Sequence, residues 1–324
     1  MKTIGLVISH KNNERRRALL PEDVGRLKYP GQLCFETGYG LAVGCKDLEY
    51  RELGAKIVTR EEALACDIVT DVKLGDADFL DEIEDGRGLF GWAHAVQKSA
   101  FTSAVIKGGH TVYAWENLYE NGRYIFYRNR EIAGEAAIMQ AYLYCGRMPY
   151  DTRVAIIGNG QTAKGALRIL HGLGAKVEVF PRKMFETFKS SISEFDIIVN
   201  CVLWDTSRTD RLIYRSDLSL MKPGAMIVDV SCDPELEIET SHPTTIDDPV
   251  YVVDGIIHYA VDNTPAMFPV SVTKLVSKGI YRYFDILAAG EDDPALKESI
   301  VIDKGIIIDP NITEYREKNG IGDM

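Results

Sequence analysis

The chain has 324 residues, enough for one large domain or two ordinary ones. Hydrophobic residues make up 46% and charged residues 26%, a balance that leaves ample core material. The net charge of −11 argues against a nucleic acid or an anionic membrane surface as partner.

Thr3 to Ile8 reads as a first strand, followed by the charged run Lys11-Asn12-Asn13-Glu14-Arg15-Arg16-Arg17 and a helix start at Pro21. Further strands are predicted at 33–36, 56–58, 67–73, 88–94 and 111–116. The last three deliver Lys73, His94 and Glu116 to their carboxyl ends. Strands alternate with helical stretches, so a parallel sheet is expected, with ligands beyond the carboxyl ends of its strands. A long helix over 131–145 leads to a second strand set at 154–157, 175–180, 196–201, 225–230 and 250–253. A helix over 265–289 and two short strands within 300–309 close the chain.

The stretch 154–166 is the most informative. An apolar run ends in Gly158-x-Gly160-x-x-Ala163, and a helical pattern follows at once. Gly158 permits the turn, Gly160 lets the backbone approach a pyrophosphate, and Ala163 allows close helix–strand packing. The N–H groups around Gln161 and Thr162 then face the phosphates. Such turns are common, and the second strand directly after His171-Gly172-Leu173-Gly174 makes this one a dinucleotide site. At the tip of that second strand stand Phe180-Pro181-Arg182-Lys183, with no carboxylate for a ribose diol and two cations instead. A 2′-phosphate suits that turn, so NADP(H) is preferred to NAD.

The fold class is therefore α/β, two Rossmann-like doubly wound domains with a cleft between them. Residues 1–129 and 289–324 form a discontinuous substrate domain and 130–288 the NADP-binding domain. Closure of the cleft about these crossings is expected.

Among chemistry-bearing residues, Arg16 has the bidentate geometry to hold a carboxylate, whereas Arg15 and Arg17 read as solvated surface. Lys73 is delivered to the ligand-bearing edge. His94 reads either as an acid–base group or as a satisfied core histidine. His258, Asp262 and Asn263 lie in a polar break before Pro265 that either lines the nicotinamide side or caps the next helix. Six cysteines lack a C-x-x-C pairing and read as reduced thiols. No metal constellation, short-period repeat, secretory leader or run of about eighteen apolar residues is visible, and a cytoplasmic enzyme is expected.

Lys11-Asn12-Asn13-Glu14 with Arg16 and Pro21, then Val72-Lys73, His94 and Asn263-Thr264-Pro265, resemble the alanine dehydrogenase and transhydrogenase superfamily over nearly the whole chain. Tyr113 to Leu118 is also similar to lysine-forming saccharopine dehydrogenases. The short length, the basic turn at Arg182 and Val261 to Pro265 look most like the N5-(carboxyethyl)ornithine synthase family. The chain departs from alanine dehydrogenases at Phe180-Pro181-Arg182, where those carry an acid, and at Asp262-Asn263-Thr264-Pro265, where they usually show Ala-Asn-Met-Pro. The resemblance implies NADPH-dependent reductive condensation of pyruvate with the side-chain amine of ornithine or lysine. Arg16 and Lys73 would bind the keto acid and His94 would move the proton. The Gly158–Ala163 turn with Arg182 and Lys183 would hold NADPH. Glu116 is the best acidic group for the far end of the amine, with Arg123, Arg128 or Arg130 for its carboxylate. A homo-oligomer is expected. Alanine dehydrogenase, a saccharopine dehydrogenase-like oxidoreductase and a non-catalytic NADPH-binding regulator remain the alternatives.

Overall fold

The computed structural model describes residues 1–204, 208, 210–232 and 236–321. The chain divides into two compact units, Met1–Phe126 with Phe268–Met324, and Tyr127–Met267. In chain order the strands are Ile4–Leu6 (β1), Leu33–Glu36 (β2), Lys56–Val58 (β3), Ile68–Thr70 (β4), Gly88–Gly91 (β5), Thr111–Ala114 (β6), Tyr119–Glu120 (β7), Arg123–Tyr124 (β8), Arg153–Ile157 (β9), Lys176–Phe180 (β10), Ile197–Asn200 (β11), Met226–Asp229 (β12), Val250–Val253 (β13), Ile256–Tyr259 (β14), Ile300–Asp303 (β15) and Ile306–Ile307 (β16). The helices are Pro21–Val24 (α1), Asp47–Glu52 (α2), Arg60–Leu64 (α3), Ser99–Lys107 (α4), Tyr127–Ala141 (α5), Gln161–Gly172 (α6), Phe185–Ser190 (α7), Pro269–Ala289 (α8), Pro294–Glu298 (α9) and Pro310–Lys318 (α10).

The first unit is built on an eight-stranded sheet of order β16-β15-β6-β5-β4-β1-β2-β3. Strands β1 to β6 run parallel and β15 joins β6 antiparallel. The order reverses at β1, between β2 and β4, which makes the carboxyl ends of β1 and β4 the switch point of a doubly wound sheet. Every residue of β4 is buried, as expected of a parallel strand covered on both faces. Val69, Leu89, Val105, Val112 and Ile302 form one continuous core.

The second unit carries a six-stranded sheet of order β10-β9-β11-β12-β14-β13, parallel except for β13. Alternate residues of β9 feed two cores: Ala155 and Ile157 one, Val154 and Ile156 the other. Helices α5 and α6 cross at backbone contact. A methyl group on Gly134 would lie 2.1 Å from the Thr162 carbonyl oxygen, and one on Gly165 would lie 1.9 Å from that of Glu131.

The second chain crossing differs from the expected 288. The helix read as 265–289 is a short 3-10 turn, Thr264–Met267, then α8, and α8 belongs to the first unit. Its hydroxyls explain the difference. Thr273 Oγ1 accepts the Arg17 N–H at 2.9 Å, and Ser277 Oγ accepts the Leu20 N–H at 2.9 Å and donates to Asp23 at 2.5 Å. The first crossing lies at 126/127, and the helix read as 131–145 is α5, four residues earlier at both ends. The stretch around Arg123 forms the hairpin β7–β8.

Candidate active site

In the first unit, β4, β5 and β6 lie side by side, paired Thr70 with Phe90 and Gly91 with Ala114. Lys73 and His94 follow their strands by three residues and Glu116 by two, so one carboxyl edge carries all three. The Lys73 and His94 loops interlock. Gly75 donates its N–H to the Trp92 carbonyl at 2.9 Å, and a methyl group on Gly75 would sit 2.0 Å from the Ala93 oxygen.

The Lys73 side chain is buried, and its backbone N–H donates to Asp71 Oδ1 at 2.8 Å. Burial pushes the Asp71 carboxyl up to about 6. The Lys73 ammonium lies 3.8 Å from Asp76 Oδ2, which also takes Lys11 Nζ at 3.2 Å, while Lys98 bonds Asp76 Oδ1. Burial alone would raise the Asp76 carboxyl, yet the ammonium groups of Lys98, Lys11 and Lys73 hold it below its ordinary value.

Arg16 is 2% exposed, and its guanidinium meets Glu14 through Nε–Oε1 at 2.9 Å and Nη2–Oε2 at 2.6 Å. It also lies over the Trp92 ring at 5.0 Å from the centroid. Glu14 fixes the guanidinium, a partner that reading Arg16 as a carboxylate ligand did not include. Its signal was an acid two residues before an arginine. Arg15 is exposed, but Arg17 is not the solvated residue expected. It is buried, bonded to the Tyr39 and Arg16 carbonyls, and it ties this loop to the turn after β2 and to α8.

His94 is half-buried, with a left-handed backbone at φ 45°. Its carbonyl accepts the Gln97 and Lys98 N–H groups, both at 3.1 Å, just before α4. Glu116 does not offer its carboxylate as expected. Oε2 accepts the Ala93 N–H at 3.1 Å and Oε1 the His94 N–H at 2.5 Å, and burial raises the group. Arg128 is committed to Glu131 at 2.5 Å and Glu135 at 2.7 Å, a network that Arg168 shares. It is therefore not the carboxylate donor proposed for it. Arg123 and Arg130 are exposed.

In the second unit, Gly158 follows β9 with φ 108°, and a methyl group there would lie 2.9 Å from the Cys201 carbonyl oxygen. The turn requires glycine on both counts. Gly160 differs: it precedes α6, and a methyl group on it would meet nothing within 4 Å. Its bareness answers to no protein neighbour, which suits a backbone that a ligand must approach. Ala163 is 3% exposed against the sheet. The first bond of α6 runs from Lys164 N–H to the Gly160 carbonyl at 3.1 Å. The N–H groups of Gln161, Thr162 and Ala163 thus have no acceptor within the helix. A pyrophosphate fits this turn.

Past β10, Phe180 is buried, while Arg182 and Lys183 lie exposed in a 3-10 turn. No carboxylate among the described residues pairs with either.

Sequence reasoning passed over a buried polar cluster at the ends of β11 and β12. Asn200 Nδ2 donates to Asp229 Oδ1 at 2.9 Å and Glu237 Oε1 at 2.7 Å, and Ser241 Oγ donates to Asp229. Burial raises the Asp229 carboxyl. Its signal was a polar residue closing each of two apolar strands, Ile-Ile-Val-Asn and Met-Ile-Val-Asp. His258 is a core histidine within β14, bonded to Thr240 Oγ1 at 2.7 Å and stacked on Tyr251 at 5.0 Å. Asn263 has φ 69° and opens the 3-10 turn before α8, where Thr264 Oγ1 donates to the Ala133 carbonyl at 3.0 Å. Among the described residues no group of His, Cys, Asp and Glu could hold a metal, and no helix is long and apolar enough to cross a membrane.

Several known proteins are similar. N(5)-(carboxyethyl)ornithine synthase of Lactococcus lactis is 29% identical over 85% of this chain and 93% of its own length. The Clostridium botulinum protein of that name is 29% identical over 89% and 98%. Alanine dehydrogenase 1 of Staphylococcus aureus is 28% identical over 94% and 92%. An L-alanine dehydrogenase structure superposes with a TM-score of 0.84 at 24% identity, covering 98% of this chain and 99% of that one. The transhydrogenase from Sinorhizobium meliloti gives 0.79 at 20% identity, covering 95% and 100%. At these identities the two structures bear on the fold alone. The NAD binding domain of D-isomer specific 2-hydroxyacid dehydrogenases matches residues 123–234, which include the Gly158–Ala163 turn. The alanine dehydrogenase/PNT N-terminal domain matches residues 6–126 and the C-terminal domain of the same family residues 181–314. With well over half of its length matched by these two domains, the chain belongs to the alanine dehydrogenase/transhydrogenase superfamily.

Proposed function

We propose that this protein is an NADPH-dependent reductase that condenses pyruvate with the side-chain amine of ornithine or lysine, giving an N-(1-carboxyethyl) amino acid. The observation that carries this reading is the turn after β10. No carboxylate among the described residues pairs with its Arg182 or Lys183, where a ribose-binding acid would stand, and the similar N(5)-(carboxyethyl)ornithine synthases match most of the chain.

The residues divide the work. Arg16, held by Glu14 and Trp92, and Lys73 bind the keto acid through its carboxylate and carbonyl oxygen. The amine nitrogen bonds to the carbonyl carbon, and His94 gives a proton to the oxygen as it becomes a hydroxyl. The nitrogen, cationic after the addition, returns a proton to His94, which passes it to the hydroxyl as the C–O bond breaks and water leaves, the nitrogen lone pair closing to an iminium. NADPH, when bound, supplies the hydride that reduces the iminium carbon. The open face of Gly160, the first N–H groups of α6 and the Arg182–Lys183 turn hold the dinucleotide, with Asn263 on its nicotinamide side.

The second reading is alanine dehydrogenase, favoured by the similarity to the Staphylococcus aureus enzyme and by Glu116, which is spent on backbone N–H groups rather than on a remote ammonium. The test is mass spectrometry of reactions holding pyruvate, NADPH and either ornithine, lysine or ammonia. A diamino acid heavier by one carboxyethyl group is the expected product. Alanine as the main product supports the second reading, and no NADPH oxidation with any amine supports a binding protein without turnover.

A further inference from the structure

We propose that Glu116 is a positioning residue of this site, whose carboxylate holds the His94 backbone in the left-handed conformation from which the imidazole works. The proposal rests on the reading of His94 as the proton-transfer group. A left-handed histidine needs something to hold it, because the side chain crowds the following carbonyl in that conformation. Glu116 is built to do so. Its oxygens take the two consecutive N–H groups of Ala93 and His94, and bonds to a carboxylate are stronger than bonds to a neutral acceptor.

The carboxylate is itself anchored. Glu116 sits in the 3-10 turn Trp115–Asn117 at the end of β6. Trp115 is fully buried and stands edge-on to Phe90 at 5.3 Å and to Trp92 at 5.0 Å. On the other side, the His94 carbonyl is closed by Gln97 and Lys98, and the preceding residue is wedged against Gly75. The histidine is thus clamped at its N–H by one element and at its C=O by another. Glutamine at 116 keeps a single acceptor and turns an NH2 group towards one of the two N–H donors, so it fits the space but breaks the clamp.

The competing role is direct: Glu116 touching the ammonium of the amine substrate. The two roles separate in kinetics. Glu116→Gln, His94→Asn and the double variant are assayed by NADPH oxidation with pyruvate and either ornithine or ammonia. For a positioning residue, Glu116→Gln lowers kcat about tenfold or more with either amine, because a small misplacement of a reacting group is costly. KM for the amine stays within about twofold, and in the His94→Asn background Glu116→Gln adds less than about twofold. A KM that rises for ornithine alone, or losses that multiply in the double variant, overturn the proposal. A second readout needs no turnover. Amide hydrogen exchange in the peptide spanning Trp92 to Gln97 should quicken in Glu116→Gln, and unchanged exchange there overturns the proposal. That arm stands whichever amine the enzyme uses, so failure of the condensation reading and failure of the clamp are told apart.

Discussion

The two carboxyl edges of this molecule are made in opposite ways. In the second unit the edge is a backbone device: Gly158 turns the chain beside Cys201, Gly160 leaves space open, and α6 presents N–H groups with no acceptor inside the helix. In the first unit the edge is a side-chain device, in which Arg16 leans on Glu14, Lys73 shares Asp76 with Lys11 and Lys98, and His94 hangs from Glu116. A group common to all dinucleotides can be met by a short local motif. The side-chain edge is gathered from four separate segments of the chain, 11–16, 73–76, 94–98 and 116, as a site for a small, variable substrate would require.

The largest effect should come from the side-chain edge. His94→Asn, which tolerates the left-handed backbone, should lower turnover about 10³-fold while NADPH still binds and the fold persists. Near-normal turnover in that variant, read by NADPH absorbance, would make His94 a packing residue and leave the first edge without its acid–base group.

Asp71 tests the same edge by pH. Its carboxyl sits at about 6 against an ordinary 3.8, so between these values the folded chain binds the proton more tightly than the unfolded one. Its contribution is complete below the lower value and is lost as pH rises through the upper one, about 3 kcal/mol in all. Asp71→Asn keeps an acceptor for the Lys73 N–H. Denaturant unfolding at pH 3 and pH 7 should show the unchanged protein losing that stability relative to the variant.

The backbone edge should respond to methyl groups in two distinct ways. Gly158→Ala, strained by φ 108° and by the Cys201 oxygen, should cost about 2 kcal/mol of stability. Gly160→Ala should leave Tm within a few degrees and weaken dinucleotide binding instead. If both variants lost stability alike, Gly160 would be a structural glycine and the open face no ligand site. The smallest expected effect is Arg182→Asp, which should weaken NADPH use about tenfold and spare NADH, the worth of one charge-assisted contact. Equal efficiency with both cofactors in the unchanged protein would remove the basis for preferring NADP.

The contrast also explains what could be read from the residues alone. The Gly158–Ala163 turn, the β9–β10 pair and the strand ends carrying Lys73 and His94 were legible, because spacing and apolar period encode local structure. Glu14 beside Arg16, Asp76 among three lysines and the turn of Glu116 back to His94 were not. The last two are meetings of side chains from neighbouring strand ends, and the first is a local loop pair whose spacing alone does not say which way its side chains turn. Arg17 was misread for the same reason: a run of three arginines looks solvated until α8 and Tyr39 are seen to enclose the third. The helix α8 was recognised as a helix, but its unit was not, since Thr273 and Ser277 reveal their partners only in the fold.

The glycine crossing of α5 and α6 has a consequence in time as well as in space. With Gly134 against Thr162 and Gly165 against Glu131, the first turn of α6 is wedged in place by main chain rather than by mobile side chains. Its N–H groups are aimed when the unit folds, before any dinucleotide arrives. The entropy of ordering that turn is then charged to folding and not to binding. The phosphate-facing turn itself is already formed, so any slow step after dinucleotide encounter should come from elsewhere, such as the expected closure of the cleft.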